Sequence, residues 1–240
     1  MRLATICARA GSKRLPGKNT RLLNDMPLWL HTIAQAGDAG CFDLLVISSD
    51  DPAIKSGSMW MVSGVHWLRI KRPAELATDE AGKVPVIRHA LSETERLTGK
   101  TFDQIVDLDV TAPLRVLDDI RGFCAKLDTI QHGGLVSVCK SRRSPAFNMV
   151  ELRENGTARL LSSEWTQTYL RSQDVPQTYD LNASMTGWTR DYLMEDGDHP
   201  VKWNTYIYEM PRERSWDIDD AHDLEIVAFL MNRQKEAKAA

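Results

Sequence analysis

No stretch of this 240-residue chain approaches the roughly 18 consecutive apolar residues that a membrane span needs, and Arg9 interrupts the first apolar run before it reaches signal-peptide length. The sequence therefore predicts no membrane partner and a cytoplasmic location. Cysteine is scarce. Cys7, Cys41, Cys124 and Cys139 lie far apart, form no C-x-x-C pair and sit largely among apolar neighbours, which excludes a disulfide framework or thiolate metal site and reads as buried free thiols. Charge of one sign is also lacking: 30 Lys and Arg face 33 Asp and Glu, for a net charge of −3. Without a general basic field, nucleic acid held mainly by electrostatics is excluded as a partner, whereas a small anion in a local basic pocket is not. Neither G-x-G-x-x-G nor a P-loop is present; after Gly17-Lys18, Asn19 replaces the Ser or Thr that would reach magnesium. There are no internal repeats and no low-complexity segments.

What is present is a basic loop directly after a short apolar strand. Residues Leu3–Ala8 read as a buried strand, and Ala8-Arg9-Ala10-Gly11-Ser12-Lys13-Arg14-Leu15-Pro16-Gly17-Lys18-Asn19 follows. Glycine lets backbone N–H groups approach an anion with no Cβ in the way. Arg9, Lys13 and Lys18 would then surround a polyphosphate, each attracted by about 4 kcal/mol at 4 Å and an effective dielectric of 20, before desolvation. A basic loop of this kind also serves as a plain solvated turn, so the attraction alone describes a binder and not an enzyme.

Apolar runs recur at Leu3–Ala8, Leu44–Ser48, Gln104–Val110 and Leu135–Val138, with helical periodicity over Pro27–Ala36 and Val84–Leu97. Strands alternating with helices predict an α/β fold: a mostly parallel sheet with helices on both faces. At 42% hydrophobic content, residues 1–240 can form a single domain with a full core. Ligands in such folds gather at the carboxyl ends of the strands, where the Arg9 loop, Ser48-Ser49-Asp50-Asp51 and Asp107–Arg115 would meet. From Lys140 to Leu181 (140–181) the rhythm breaks, and Asn155-Gly156 signals a hairpin in what reads as an inserted arm. Asp219–Asn232 predicts a closing helix, and Gln234–Ala240 a frayed tail.

Two acidic pairs stand out. Asp217 and Asp219 are two apart and, if extended, project to one face, which suits a hard divalent ion; alternatively Asp219 or Asp220 caps the helix that follows. Asp107 and Asp109 have the same spacing at a strand end. There Asp109 would join a metal shell or bond loop amides.

The run Arg9–Asn19 resembles the nucleotide-binding loop of the CMP-sialic acid synthetases (acylneuraminate cytidylyltransferases), roughly A-R-x-G-S-K-x-x-P-x-K-N. Further segments follow in the family's order: Arg72-Pro73-Ala74-Glu75-Leu76-Ala77, His89-Ala90-Leu91, Thr111-Ala112-Pro113-Leu114-Arg115, Gln173-Asp174-Val175-Pro176 with Asn182, and Asp217-Ile218-Asp219. The resemblance implies a three-layer, Rossmann-like nucleotidyltransferase fold, with the arm serving dimerisation in a homodimer. It implies that the anomeric hydroxyl of a nine-carbon 2-keto sugar acid attacks the α-phosphate of CTP. Arg9, Lys13 and Lys18 would hold the triphosphate with Ala10, Gly11, Ser12 and Asn19, and Asp217 and Asp219 would hold Mg2+. Arg72, Thr78 and Thr111 would serve the nucleoside. Asp109 stands where the family has a base-reading glutamine; a carboxylate is apt there, because cytosine N4 is a donor. Gln173 and Asn182 match positions near the sugar, but Ser172 and Asp180 replace the arginines that would grip its carboxylate, which leaves Arg171 as the substitute and points to a legionaminic- or pseudaminic-type sugar. Rival readings are a nucleotidyltransferase using another base or an eight-carbon acid, a glycosyltransferase using Asp107-Leu108-Asp109, and a silent nucleotide-binding module. His89 reads as a core histidine.

Overall fold

The computed structural model describes residues 1–54, 60–62, 64–162, 169–195 and 197–239. Its elements, in chain order, are β1 (Arg2–Cys7), β2 (Leu22–Leu23), β3 (Met26–Pro27), α1 (Leu28–Ala39), β4 (Leu44–Ser49), β5 (Trp60–Val62) and β6 (Val65–Lys71). Next come α2 (Lys83–Thr98), β7 (Gln104–Leu108), α3 (Leu117–Asp128), β8 (Gly134–Lys140), β9 (Val150–Leu152) and β10 (Ala158–Leu160). The chain ends with β11 (Tyr179–Thr189), α4 (Arg190–Met194), β12 (Thr205–Glu209) and α5 (Ala221–Ala239).

Eight strands form one sheet in the order β12-β8-β11-β7-β1-β4-β6-β5. Neighbours pair in parallel except where β11 lies between β7 and β8, and where β5 flanks β6. The mostly parallel α/β sheet expected from the alternating pattern is what forms. On β1 the side chains alternate: Ala4 and Ile6 enter the core with α1, α3 and α5, while Leu3 faces Val84, Ile87, Ala90 and Leu91 of α2. Helices thus cover both faces, as parallel sheets require. β1 lies between β7 and β4, so the chain crosses to either side of it, and the crevice at the carboxyl ends opens at that switch point.

The Asn155-Gly156 turn joins β9 and β10, an antiparallel ribbon outside the main sheet, with Gly156 at φ +81°. Residues 163–168 of the expected arm lie outside the described residues. The last helix differs from expectation: it runs to Ala239 and includes the segment read as a tail. Gln234-Lys235-Glu236-Ala237-Lys238 are good helix formers with no Gly or Pro among them to end the helix. Among the described residues, no helix is long and apolar enough to cross a membrane.

Candidate active site

Of the four neighbouring parallel strands β7-β1-β4-β6, three release loops from their carboxyl ends into one cleft of about 330 Å³. β1 delivers Cys7 and Arg9, β6 delivers Arg72, and the segment after β7 delivers Asp109 and Thr111. β4 contributes from behind: Asp50 accepts a hydrogen bond from the Ala10 N–H at 2.9 Å, and the Ser48 carbonyl accepts one from Arg72 at 2.9 Å.

The basic loop is held by its own residues. Leu15 is buried, Gly17 adopts the left-handed φ of +64° that glycine tolerates, and the Asn19 amide donates to the Arg9 carbonyl at 2.9 Å. A Cβ at Gly11 would meet nothing within 4 Å, so packing does not demand glycine there. Arg9 and Lys13 both pair with Asp79, at 2.7 and 2.5 Å, and Arg9 also donates to the Thr78 carbonyl. Hydrogen bonds from Lys13 and Arg9 hold the Asp79 carboxyl below the usual range. Arg9, Lys18, Asn19, Arg72, Thr78 and Asp79 line the cleft, whereas the exposed Lys13 sits at its rim.

Lys18 reaches the other end of the chain. Its Nζ donates to the Ile218 carbonyl at 2.9 Å and lies 3.5 Å from Asp219 Oδ1, while Arg14 takes Asp219 Oδ2 at 2.8 Å. The acidic segment is fixed from both sides. The buried Ile218 donates its N–H to the Thr111 carbonyl at 2.9 Å, and Arg214 forks onto Asp119 with two bonds of 2.8 Å. Of the two aspartates expected to cap the last helix, Asp220 does so: its Oδ1 accepts from His222 and Asp223 N–H, and Asp223 Oδ2 returns to the N–H of Asp219 and Asp220. The carboxylates of Asp217 and Asp219 therefore take no part in the cap, although the Asp219 N–H does.

Asp217 lines the cleft, and its Oδ1 is buried without a hydrogen-bond partner. Burial pushes its carboxyl pKa up, and the charge on Asp109 pushes the same way. A hydrogen bond from Thr111 and the charge on Lys18 offset this only in part. Among the described residues no three or more His, Cys, Asp or Glu gather into an all-protein metal cage. Magnesium does not need one, because it keeps waters and shares its positions between one or two carboxylates and substrate phosphates.

The structure adds to the cleft a residue that carries no motif in the sequence. Lys83, the first residue of α2, places Nζ 2.7 Å from Asp107 Oδ2 and 2.6 Å from Asp109 Oδ2. Asp107 is sealed at 1% exposure, on the β7 face that looks toward α2, and also accepts from Thr5 at 2.8 Å. Burial disfavours the Lys83 charge, but the two carboxylates outweigh it and hold its pKa above the lysine norm. For Asp109, burial is likewise outweighed, by Lys83 and by bonds from Thr111, and the carboxyl is pulled down to about 2. Asp109 thus stays ionised and accepts only. The backbone behind it is pinned by the buried Arg115, which donates to the carbonyls of Asp109 and Ser184 and to Thr32 Oγ1. Burial lowers the Arg115 pKa to about 10, which leaves it charged at neutral pH.

The expected sugar-side residues separate. Asn182 lines a second pocket of about 200 Å³ that shares Asp217 with the first cleft. Its amide is committed inward, with Nδ2 donating to Ser215 at 2.9 Å and Oδ1 accepting from Ser137 at 2.6 Å. Arg171 instead pairs with Asp174 at 2.7 Å on the exposed arm, and neither it nor Gln173 lines either cavity.

A nucleotide-sized cleft at the switch point, flanked by a basic loop and an acidic segment from opposite ends of the chain, belongs to the nucleotidyltransferase class of α/β enzymes. Residues 3–113 match the family model described as Cytidylyltransferase. Post-translational flagellin modification protein B of Campylobacter coli is 35% identical over 236 residues, covering 97% of this chain and 95% of that protein. CMP-N,N'-diacetyllegionaminic acid synthase of Campylobacter jejuni is also 35% identical, over 230 residues, with 96% and 94% covered. Among solved structures, a CMP:2-keto-3-deoxy-manno-octonic acid synthetase complexed with CTP shares the fold at a TM-score of 0.66 and 16% identity, covering 97% of this chain and 99% of that one. The chain belongs to the cytidylyltransferase family and is a nucleotidyltransferase.

Proposed function

We propose that the protein activates a nine-carbon 2-keto sugar acid, of the legionaminic or pseudaminic type, by transferring CMP from CTP to its anomeric hydroxyl. The observation that carries this reading is the meeting of Lys18 with the Asp217-Ile218-Asp219 segment beside a single cleft. The near full-length relationship to a CMP-N,N'-diacetyllegionaminic acid synthase supports the choice of sugar.

In the reaction the hydroxyl oxygen bonds to the α-phosphorus, the bridging oxygen to the β-phosphorus leaves with pyrophosphate, and the hydroxyl proton is released. Such a transfer needs little covalent help, so positioning and charge neutralisation supply most of the acceleration. Arg9, Lys13 and Lys18 grip the triphosphate; Arg9 and Lys13 exchange Asp79 for phosphate when CTP enters. The backbone of Ala10, Gly11 and Ser12 borders the phosphates, and the open space over Gly11 suits an anion. Asn19 keeps the loop in shape through the Arg9 carbonyl. Arg72 and Thr78 border the nucleoside, and Asp109, oriented by Thr111 and Lys83, accepts from the cytosine amino group. Asp217 and Asp219 hold Mg2+, and the unpartnered Asp217 Oδ1 fits that role. Held by these two carboxylates, Mg2+ would supply neutralisation of the charge that builds on the departing pyrophosphate. No side chain is assigned as the base.

The protein works as a homodimer. The β9–β10 ribbon carries Val150 and Leu152 at 65% and 78% exposure, an apolar surface that a second copy would cover. It acts in the cytoplasm, where CTP is supplied.

Pyrophosphate release measured with each of four nucleoside triphosphates against N,N'-diacetyllegionaminate, pseudaminate, N-acetylneuraminate and 2-keto-3-deoxy-manno-octonate tests the reading. Turnover is expected with CTP and is fastest with one of the first two acids. Best turnover with N-acetylneuraminate overturns the sugar type, and release only with the eight-carbon acid overturns the nine-carbon class.

A further inference from the structure

A 2-keto sugar acid carries its carboxylate on the same carbon as the hydroxyl that attacks. The group that anchors this carboxylate must therefore sit within a few ångströms of the reacting phosphate, at the boundary between the nucleotide cleft and the acceptor's own pocket. The second cavity meets that condition, because Asp217 belongs to both.

We infer that this second cavity is the acceptor site and that Arg212 is its carboxylate anchor, an assignment that rests on the functional reading above. Among the described residues lining the pocket, Arg212 is the one cationic side chain, and its guanidinium has no protein partner. The nearby arginines are engaged elsewhere: Arg214 forks onto Asp119, and Arg171 pairs with Asp174. A guanidinium presents paired N–H groups that match the two oxygens of a carboxylate.

The remaining walls suit a sugar. Trp216, 38% exposed, offers an aromatic face to the apolar side of a pyranose ring. Asp180, an exposed residue of the same lining, accepts from hydroxyl or acylamino N–H groups. The pocket is also built rigidly. Asn182 ties β11 to Ser215, and the next residue, Ala183, takes the left-handed φ of +55° where the β11–β8 register shifts. A bulge with a non-glycine residue in that region is a feature found beside active sites, where it re-aims the strand.

The test uses the full-length protein with CTP, Mg2+ and N,N'-diacetyllegionaminate or its C1 methyl ester. Arg212→Gln is expected to raise KM for the acid about 10- to 100-fold, the range of a lost charged hydrogen bond, with the CTP KM and thermal midpoint unchanged. Arg212→Lys recovers part of the loss. The unsubstituted enzyme prefers acid over ester by a similar factor, and R212Q loses that preference; a purely structural role would weaken both substrates alike. An unaltered KM in R212Q, or equal losses for acid and ester, overturns the assignment while leaving the cytidylyltransferase reading intact. If the unsubstituted protein releases no pyrophosphate from CTP with any sugar acid, the functional reading fails and the Arg212 assignment falls with it.

Discussion

Lys18 Nζ lies 3.5 Å from Asp219 Oδ1 although 201 residues separate the two in sequence. The contact joins the loop after β1 to the segment before α5. Because the pair is half open to solvent on the Asp219 side, its own contribution to stability is small, and its value lies in bringing a cation and two carboxylates to one place. Asp219→Asn is therefore expected to leave the thermal midpoint within a few degrees and to remove most turnover. Steady-state pyrophosphate release checks this, and near-normal turnover at saturating Mg2+ takes Asp219 out of the metal site.

Asp217 predicts a trade between stability and activity. A carboxyl whose folded pKa is raised is destabilised in its charged form, so at neutral pH the ligand-free protein carries a penalty there. Asp217→Asn should raise the melting temperature of the ligand-free protein and abolish turnover. Mg2+ with CTP should stabilise the unsubstituted protein strongly and the variant weakly. A lower melting temperature for the variant without ligand refutes the strain.

Lys83 is a structural keystone as well as part of the cleft. Its side chain is 37% exposed, so water screens part of its attraction, but removing it leaves the sealed Asp107 facing Asp109 with no cation between them. Lys83→Met should cost about 3–5 kcal/mol, the range for breaking a buried pair by deleting one partner. Chemical denaturation measures this directly, and a loss below about 1 kcal/mol would show that water replaces the ammonium.

The same network sets a pH window. Asp109 has a folded pKa of about 2 against about 3.9 unfolded, so its stabilisation is complete above about pH 4 and is lost as pH falls toward 2. The amount is about 2–3 kcal/mol. Lys83 has the opposite sign: its contribution is present below its unfolded pKa of about 10.4 and is lost as pH rises through its higher folded value. Stability measured from pH 2 to 6 should fall steeply only below pH 4, and Asp109→Asn should flatten that fall.

The exposed ribbon yields an assembly prediction. Leu152→Glu should shift the protein from dimer to monomer in light scattering without unfolding it, since Leu152 is 78% exposed in the single chain. A monomeric unsubstituted protein contradicts the dimer.

The basic loop and the Asp217-Ile218-Asp219 segment were legible because their residue types are unusual together and each sits at an element boundary. Lys83 was hidden because a lysine at the start of a helix resembles any solvated residue. A usable signal existed: a cation at a helix N-terminus with no acidic residue in the first turn opposes the helix dipole, which marks a charge recruited by something else. Strand β11 was missed for a related reason, since the register shift between Leu181 and Thr186 disrupts the two-residue alternation by which strands are recognised. Arg171 looked available in sequence, but three residues later Asp174 captures it. Local pairing of that kind depends on backbone geometry, which spacing alone does not reveal.

Both ends of the chain are expected to meet on one triphosphate. A crystal structure with CTP and Mg2+ tests it most directly. The phosphates should lie between Arg9 and Lys18, a cation on Asp217, and the cytosine amino group against Asp109. A triphosphate bound elsewhere, or a cation with no contact to Asp217, would contradict it.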